Sequence, residues 1–356
     1  MDFDKINHAV LKEKLQYPNG KLRLVIDTDA YNEVDDQFAI SWACASPERF
    51  TLEAVYAAPY CSKALLKAIP VDEETLKRLL HWAGTAEEGM EKSYKEILHL
   101  LSLMNINTEN KVFRGSTQYL ESLDKPIESP AAQDLVKRAM AGTEPLYVIA
   151  IGCPTNVASA LLMEPKIRDK IVVVWLGGQP PHWSHAVEFN LMQDILASQV
   201  LLDSGVPLVL IPCITCASQL TVTKEEMEGR LIGKSKIGDY LAQIVLENFK
   251  DKSIAGSDLF LKMAYIRDMD DIPMDIAQKY TIQDISWSRI IWDISTVGFL
   301  MNPNWTASKI SPAPILTDDI RWEHDENRHP IRLVHYVSRD HIFGDLFGKL
   351  SRLTKT

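Results

Sequence analysis

Residues 21–46 read KLRLVIDTDAYNEVDDQFAISWACAS, and the organisation of the chain follows from this stretch. KLRLVID (21–27) is a short continuous apolar run, and DQFAISWACAS (36–46) continues as a helical pattern. A continuous run, in place of strict in–out alternation, predicts a parallel strand covered on both faces. The turn between strand and helix carries Asp27, Asp29, Glu33, Asp35 and Asp36. In open α/β sheets the ligand crevice lies beyond the carboxyl ends of the strands, so this acidic turn is the predicted reaction centre.

Working outward, the same strand signal recurs in TLEAVYAA (51–58), LYVIAIG (146–152), IVVVWLGG (171–178) and PLVLIP (207–212). Helix punctuation lies between these runs. Ser129-Pro130 opens a helix that ends near Gly142, and Pro154-Thr155-Asn156 opens one that stops near Pro165. The alternation predicts an α/β fold with an open, mostly parallel twisted sheet flanked by helices. Residues 61–110 carry little strand signal and read as a helical insertion, and residues 223–300 are also mostly helical. With no linker, low-complexity tract or repeat, 1–356 reads as a single domain with its core at about 21–305.

Bulk properties narrow the function. A net charge of −10 and a pI near 5.4 argue against nucleic-acid binding through a basic patch. No apolar run approaches the roughly 20 residues needed to span a bilayer, and no signal peptide is visible, so the expectation is a cytoplasmic protein with no membrane partner. Five cysteines, an odd and sparse set, fit a reducing compartment. The lone Cys213-x-x-Cys216 reads as two packed thiols more readily than as a zinc or redox site.

Several carboxylates at one strand end repel one another unless a positive charge sits among them. A hard divalent cation with oxygen ligands, Ca²⁺ or Mg²⁺, answers that need, and no His/Cys cluster suggests zinc. Rival readings exist. An acidic helix start is common because carboxylates favour the helix N-terminus. An EF-hand loop fails, since counting from Asp27 puts Asn32 where Gly belongs and Phe38 where Glu belongs. A haloacid-dehalogenase-type phosphotransferase also begins Asp-x-Asp, but leaves Asp35-Asp36 unexplained.

With its Asp-x-Asp, short loop and Asp-Asp, the stretch resembles the inosine/uridine-type nucleoside hydrolase family, although the loop AYNEV (30–34) is two residues longer than the commonest form. CPTNVASALLMEP (153–165), WLGGQPPHWSHAVEFN (175–190) and IIWDISTVGFLMNP (290–303) resemble three further family stretches in the same order. The resemblance implies a nucleoside hydrolase fold and calcium-dependent hydrolysis of a nucleoside to free base and ribose, of purine or mixed specificity, by a homodimer or homotetramer. It implies that Asp29 is general base and calcium ligand. Asp36, the carbonyl of Thr155 and Asp293 would be further ligands. Asp35 would bind ribose hydroxyls, Glu188 and Asn190 would hold the sugar from the other side, and Asp27 would orient the loop. Trp292 stands where many members carry a His acid, which resembles the purine-specific branch, where Trp stacks on the base.

Two departures concern the sugar. Ala57-Ala58-Pro59-Tyr60 replaces a Gly-Asn after the second strand, and His182 stands where an Asn often helps to hold the 5′-hydroxyl. These departures leave as an alternative a non-catalytic or weakly active nucleoside- or sugar-binding protein on the same fold, and the Asp-x-Asp start leaves a magnesium-dependent phosphotransferase as a third reading.

Overall fold

The computed structural model describes residues 7–67, 73–74, 77, 81–250 and 288–353, with the side chains of 248–250 outside that description. Parts of the expected helical regions, 68–72, 75–76, 78–80 and 251–287, therefore lie outside the described residues.

The strands are β1 (Leu22–Thr28), β2 (Phe50–Ala57), β3 (Val112–Arg114), β4 (Leu146–Ile151), β5 (Ile171–Leu176), β6 (Leu208–Ile211), β7 (Thr221–Thr223), β8 (Ser288–Ile290), β9 (Thr306–Pro312), β10 (Ile315–Leu316), β11 (Trp322–Glu323) and β12 (Pro330–Val337). The main sheet has eight strands in the order β3-β2-β1-β4-β5-β6-β12-β9. Its pairings are parallel except the last, where β9 runs antiparallel to β12. Strand order reverses between β1 and β4, the switch point at which a crevice opens in doubly wound sheets.

Side-chain alternation explains the continuous apolar runs. Leu24 and Ile26 of β1 pack into one apolar layer with Phe38 and Trp42 of the following helix, Asp36–Cys44. Val25 points the other way and joins Val148, Val173 and Trp175 in a second layer. A strand buried on both faces has no polar position to give up.

Within the described residues the five predicted strands form, as do the helices after Asp35, Ser129 and Pro154, with ends shifted by one or two residues, while Ser288–Ile290, inside the stretch read as mostly helical, is a strand. Helix Pro130–Ala141 is capped by the Ser129 side chain, which accepts from Ala132 N, and Pro130 fills its first turn. Helix Thr155–Met163 ends before Pro165. The described part of 61–110 holds a 3₁₀ turn, Ser62–Lys67, and the long helix Ala86–Leu103. Three strands of the main sheet were not anticipated. β3 has only three residues. β9 and β12 both lie beyond the expected core end near 305, and their exposed Lys309, His335 and Tyr336 break any continuous run. An antiparallel edge with one wet face does not carry the signature of a buried parallel strand.

Candidate active site

Of the predicted residues, Asp35, Asp36 and Asp293 are brought together beyond the C-terminal end of β1, at the switch point. Asp29 follows β1 directly. A Cβ on Gly152, just past β4, would lie 3.1 Å from Asp29 N, so the two strand ends touch there. Asp35 and Asp36 follow in the loop and first turn of helix Asp36–Cys44. Asp293 arrives from the far end of the chain, immediately before helix Ile294–Met301.

One carboxylate oxygen each from Asp35, Asp36 and Asp293 lies within 4.8 Å of the others, and all three residues are buried. Asp35 occupies the N-cap position yet makes no side-chain cap bond, so its carboxylate faces the cluster and the helix-start explanation fails. Thr28 Oγ1 donates a short hydrogen bond to Asp36 Oδ1. The carboxyl groups of Asp36 and Asp293, drawn from distant parts of the chain, repel each other at this distance unless a positive charge sits among them. Asp29 is 2% exposed and its Oδ2 has no hydrogen-bond partner.

Burial and mutual repulsion leave these groups reluctant to ionise. Asp29 is held well above the usual carboxylate range by desolvation, then by the charges of Asp36, Asp35, Glu33 and Glu188. Asp35 and Asp293 are raised in the same way. Burial pushes Asp36 up to about 7, against the Thr28 hydrogen bond. An oxygen-only donor set of mutually repelling carboxylates, with an orphaned Asp29 oxygen beside it, fits a hard divalent cation.

A polar scaffold stands behind these groups. Asn156 Nδ2 donates to Asp27 Oδ1 at 2.8 Å and to Ala57 O at 3.3 Å, while its Oδ1 accepts from Ser116 N at 2.8 Å. Asp27 is thereby tied to the helix after β4, and burial lifts it to about 7. The Thr155 hydroxyl donates to Asp194 Oδ2 at 2.6 Å, and Asp194 also caps helix Ile195–Asp203 through Ala197 N. That bond fixes the helix start on which the Thr155 carbonyl sits.

The opposite wall is built on the end of β5. Gly178 has φ +68°, a left-handed conformation suited to glycine, and a Cβ there would meet Trp322 at 2.8 Å. This turn aims Gly178 N at Glu188 Oε2, 2.9 Å away. Glu188 also accepts from Asn190 N and Leu191 N, and burial lifts it to about 7 despite these bonds. Asn190 spends its Nδ2 on Leu176 O at 3.0 Å. His182 is exposed, and its charge acts on His335 of β12. Trp292 is 8% exposed and packs in the larger apolar layer. Cys213 and Cys216 are free thiols in the turn after β6, raised by burial, as the packed-thiol reading expects.

Three residues with a place in this crevice had no sequence signal. Asp194 follows Glu188-Phe189-Asn190 by four positions and reads as a simple cap. Gln193 is 7% exposed, and its Oε1 accepts from Cys61 N at 2.7 Å and Tyr119 Oη at 2.9 Å, leaving Nε2 buried without a partner. Arg289 on β8 donates from Nη2 to Glu33 Oε2 at 2.6 Å.

Comparison with known proteins bears on the family and the fold. The sequence model of the inosine-uridine preferring nucleoside hydrolases matches residues 24–281. The pyrimidine-specific ribonucleoside hydrolase RihA of Escherichia coli O9:H4 (strain HS) is 28% identical over 217 residues, covering 53% of this chain and 68% of that protein. A purine-preferring ribonucleoside hydrolase from Gardnerella vaginalis superposes with a TM-score of 0.67 at 18% identity, over 94% of this chain and 99% of that one. A plant nucleoside hydrolase, PpNRh1, does so with a TM-score of 0.63 at 18% identity, over 93% and 99%. The two superpositions show a shared fold. The family match covers more than half of the chain and includes the acidic turn, so this protein belongs to the inosine-uridine preferring nucleoside hydrolase family and is a hydrolase acting on N-glycosyl bonds.

Proposed function

We propose that this chain uses calcium to hydrolyse a nucleoside of purine or mixed base to free base and ribose. The observation that carries this reading is the convergence of Asp35, Asp36 and Asp293 oxygens within 4.8 Å, beside Asp29 with its unpartnered Oδ2. Asp29, Asp36, Asp293 and the Thr155 carbonyl would hold the cation, with Asp35 turned to the ribose hydroxyls. When bound, the cation supplies the positive charge that offsets the carboxylates and makes a nearby water more acidic.

Asp29 takes the proton of the attacking water, a role suited to a buried carboxylate whose proton affinity is raised by desolvation and by its acidic neighbours. Hydrolysis of a glycosidic bond passes through an oxocarbenium-like sugar, and the surrounding carboxylates favour that developing positive charge. Glu188 and Asn190 hold the sugar from the β5 side, and Gln193 Nε2 adds a donor near the loop that lacks the expected Asn. His182 reaches a substrate only from the rim. Trp292, next in sequence to Asp293, is the residue assigned to stack on the base. RihA is named pyrimidine-specific and the Gardnerella protein purine-preferring, so names alone leave the base open. One continuous sheet from β1 to β12 supports a single domain. The free state of all five cysteines supports a reducing, cytoplasmic setting.

The test is product analysis. The full chain, loaded with calcium, is incubated with inosine, uridine, adenosine and cytidine, and base and reducing sugar are quantified. Equal release of both, abolished by chelation and restored by calcium, is expected. Well-folded, calcium-loaded protein that binds nucleosides and cleaves none would support the binding-protein alternative, which the altered sugar wall at Ala57–Tyr60 favours.

A further inference from the structure

Arg289 is the anomaly that the proposed mechanism leaves unused. Its side chain is 7% exposed, on the short antiparallel ribbon in which Arg289 pairs with Val222. Among the described residues, Nη2 is engaged by Glu33, while Nε and Nη1 are buried with no hydrogen-bond partner. A guanidinium left with two bare N–H groups in a buried place is costly unless something else accepts from them. Its charge acts on Asp35 in the carboxylate cluster and on His81. His81 stacks on Tyr31 with ring centroids 4.6 Å apart, and His81 Nδ1 lies 2.9 Å from Tyr31 O. The guanidinium is thus tied by geometry to the acidic turn itself, through Glu33, which stands between Asp29 and Asp35 in the sequence.

The chemistry of the donors selects the ligand. Carboxylates such as Asp35 and Glu188 accept, so they match the hydroxyls of a sugar. Arginine only donates and keeps its proton at any working pH. It matches an acceptor-rich edge that gains negative charge, which is the carbonyl oxygen or ring nitrogen of a departing nucleobase. We infer that Arg289 is a catalytic residue that stabilises the leaving base by hydrogen bonding, without giving up a proton. This rests on the hydrolase reading above. The C1′–N bond breaks with its electron pair going to the base, where it spreads onto the acceptors that Arg289 meets. The water oxygen bonds to C1′, one water proton goes to Asp29, and the base takes its proton from solvent. Glu33 holds the guanidinium in place and keeps the pair neutral before substrate enters.

The experiment compares leaving groups. The calcium-loaded full chain is assayed with inosine, uridine and p-nitrophenyl β-D-ribofuranoside, whose phenolate leaves without help. Arg289→Met is expected to lower kcat/KM for the nucleosides by about 10²–10³-fold, the size seen on removing one preorganised donor. The aryl riboside should lose less than about a tenth of that factor, and the slope of log kcat/KM against leaving-base pKa should steepen. Arg289→Lys keeps a charge beside Glu33, guards against misfolding, and should recover part of the nucleoside activity. If the wild type cleaves all three substrates and both variants lose them in equal proportion, Arg289 is structural and the inference is wrong. If the wild type cleaves none of them, the hydrolase reading itself falls.

Discussion

A carboxylate oxygen of Asp36 and one of Asp293 lie within 4.8 Å of each other, although one follows the first strand of the sheet and the other precedes helix Ile294–Met301. Two buried carboxylates this close repel each other unless a positive charge sits among them. The fold therefore stores a repulsion that a divalent ion relieves, and several consequences can be measured.

Asp293→Asn removes one of the repelling charges. Without cation, this variant is expected to melt no lower than the wild type, because an amide in place of a buried carboxyl costs the apo fold nothing in charge repulsion. Its calcium affinity should fall roughly 100-fold, about 3 kcal/mol. Thermal melts with calcium and with chelator measure both effects. A variant that keeps the full calcium-induced shift contradicts the assignment of Asp293.

The cation effect should depend on pH with a defined sign. Burial lifts Asp27, Asp36 and Glu188 to about 7 from ordinary values of 3.8 to 4.5. Between those limits the apo fold keeps protons that the unfolded chain has lost, so its stability falls as pH rises. This contribution is fully present below about pH 4 and gone above about pH 7. A cation needs the ionised groups, so its stabilisation grows across the same window. The calcium-induced rise in Tm is expected to be small at pH 5 and several degrees at pH 8. A shift that is constant with pH, or larger at pH 5, would refute the account.

Asn156→Ala tests the scaffold behind the cluster. The change strips Asp27 of its hydrogen-bond donor and leaves Ser116 N and Ala57 O without this partner. Groups stranded in this way cost about 1–3 kcal/mol each, so a loss of about 3 kcal/mol or more in urea unfolding is expected. Nucleoside turnover should fall with it, since Asp27 and Asp29 share one turn. A loss under about 0.5 kcal/mol, the range of a neutral surface change, would show that Asn156 does not hold the site.

Gln193→Glu replaces a single donor. The acceptor that receives Cys61 N and Tyr119 Oη is kept, and the unpartnered Nε2 is removed. KM for nucleosides is expected to rise about tenfold or more, at least the 1–1.5 kcal/mol of one hydrogen bond, and the melting temperature should fall at neutral pH because the new carboxyl is buried beside Asp194. An unchanged KM would remove Gln193 from the sugar wall.

How much of this was legible follows from the physics of each residue. Val25 and Ile26 announce a strand buried on both faces, and Ser129-Pro130 announces a helix start, because both signals are local. The carboxylates at 27–36 were legible because burying several like charges in one turn demands a reason. Asp293 was legible only through the resemblance, since nothing local says that it returns to β1. Arg289 and Gln193 were silent, because an Arg in a three-residue strand and a Gln after a capping Glu mean nothing until the fold leaves their nitrogens without partners. β9 and β12 escaped because a half-wet antiparallel edge looks like neither a buried run nor an amphipathic helix.

The most direct test concerns Asp29. Calcium-loaded wild type and Asp29→Asn are compared for release of free base from inosine and uridine, with calcium affinity measured on the same samples. The account predicts that the wild type releases base and ribose in equal amounts. It predicts that the variant loses about 10²–10⁴-fold in kcat, the usual worth of a general base, while still binding calcium. A variant as active as the wild type, or a calcium-loaded wild type that cleaves no nucleoside, would contradict it.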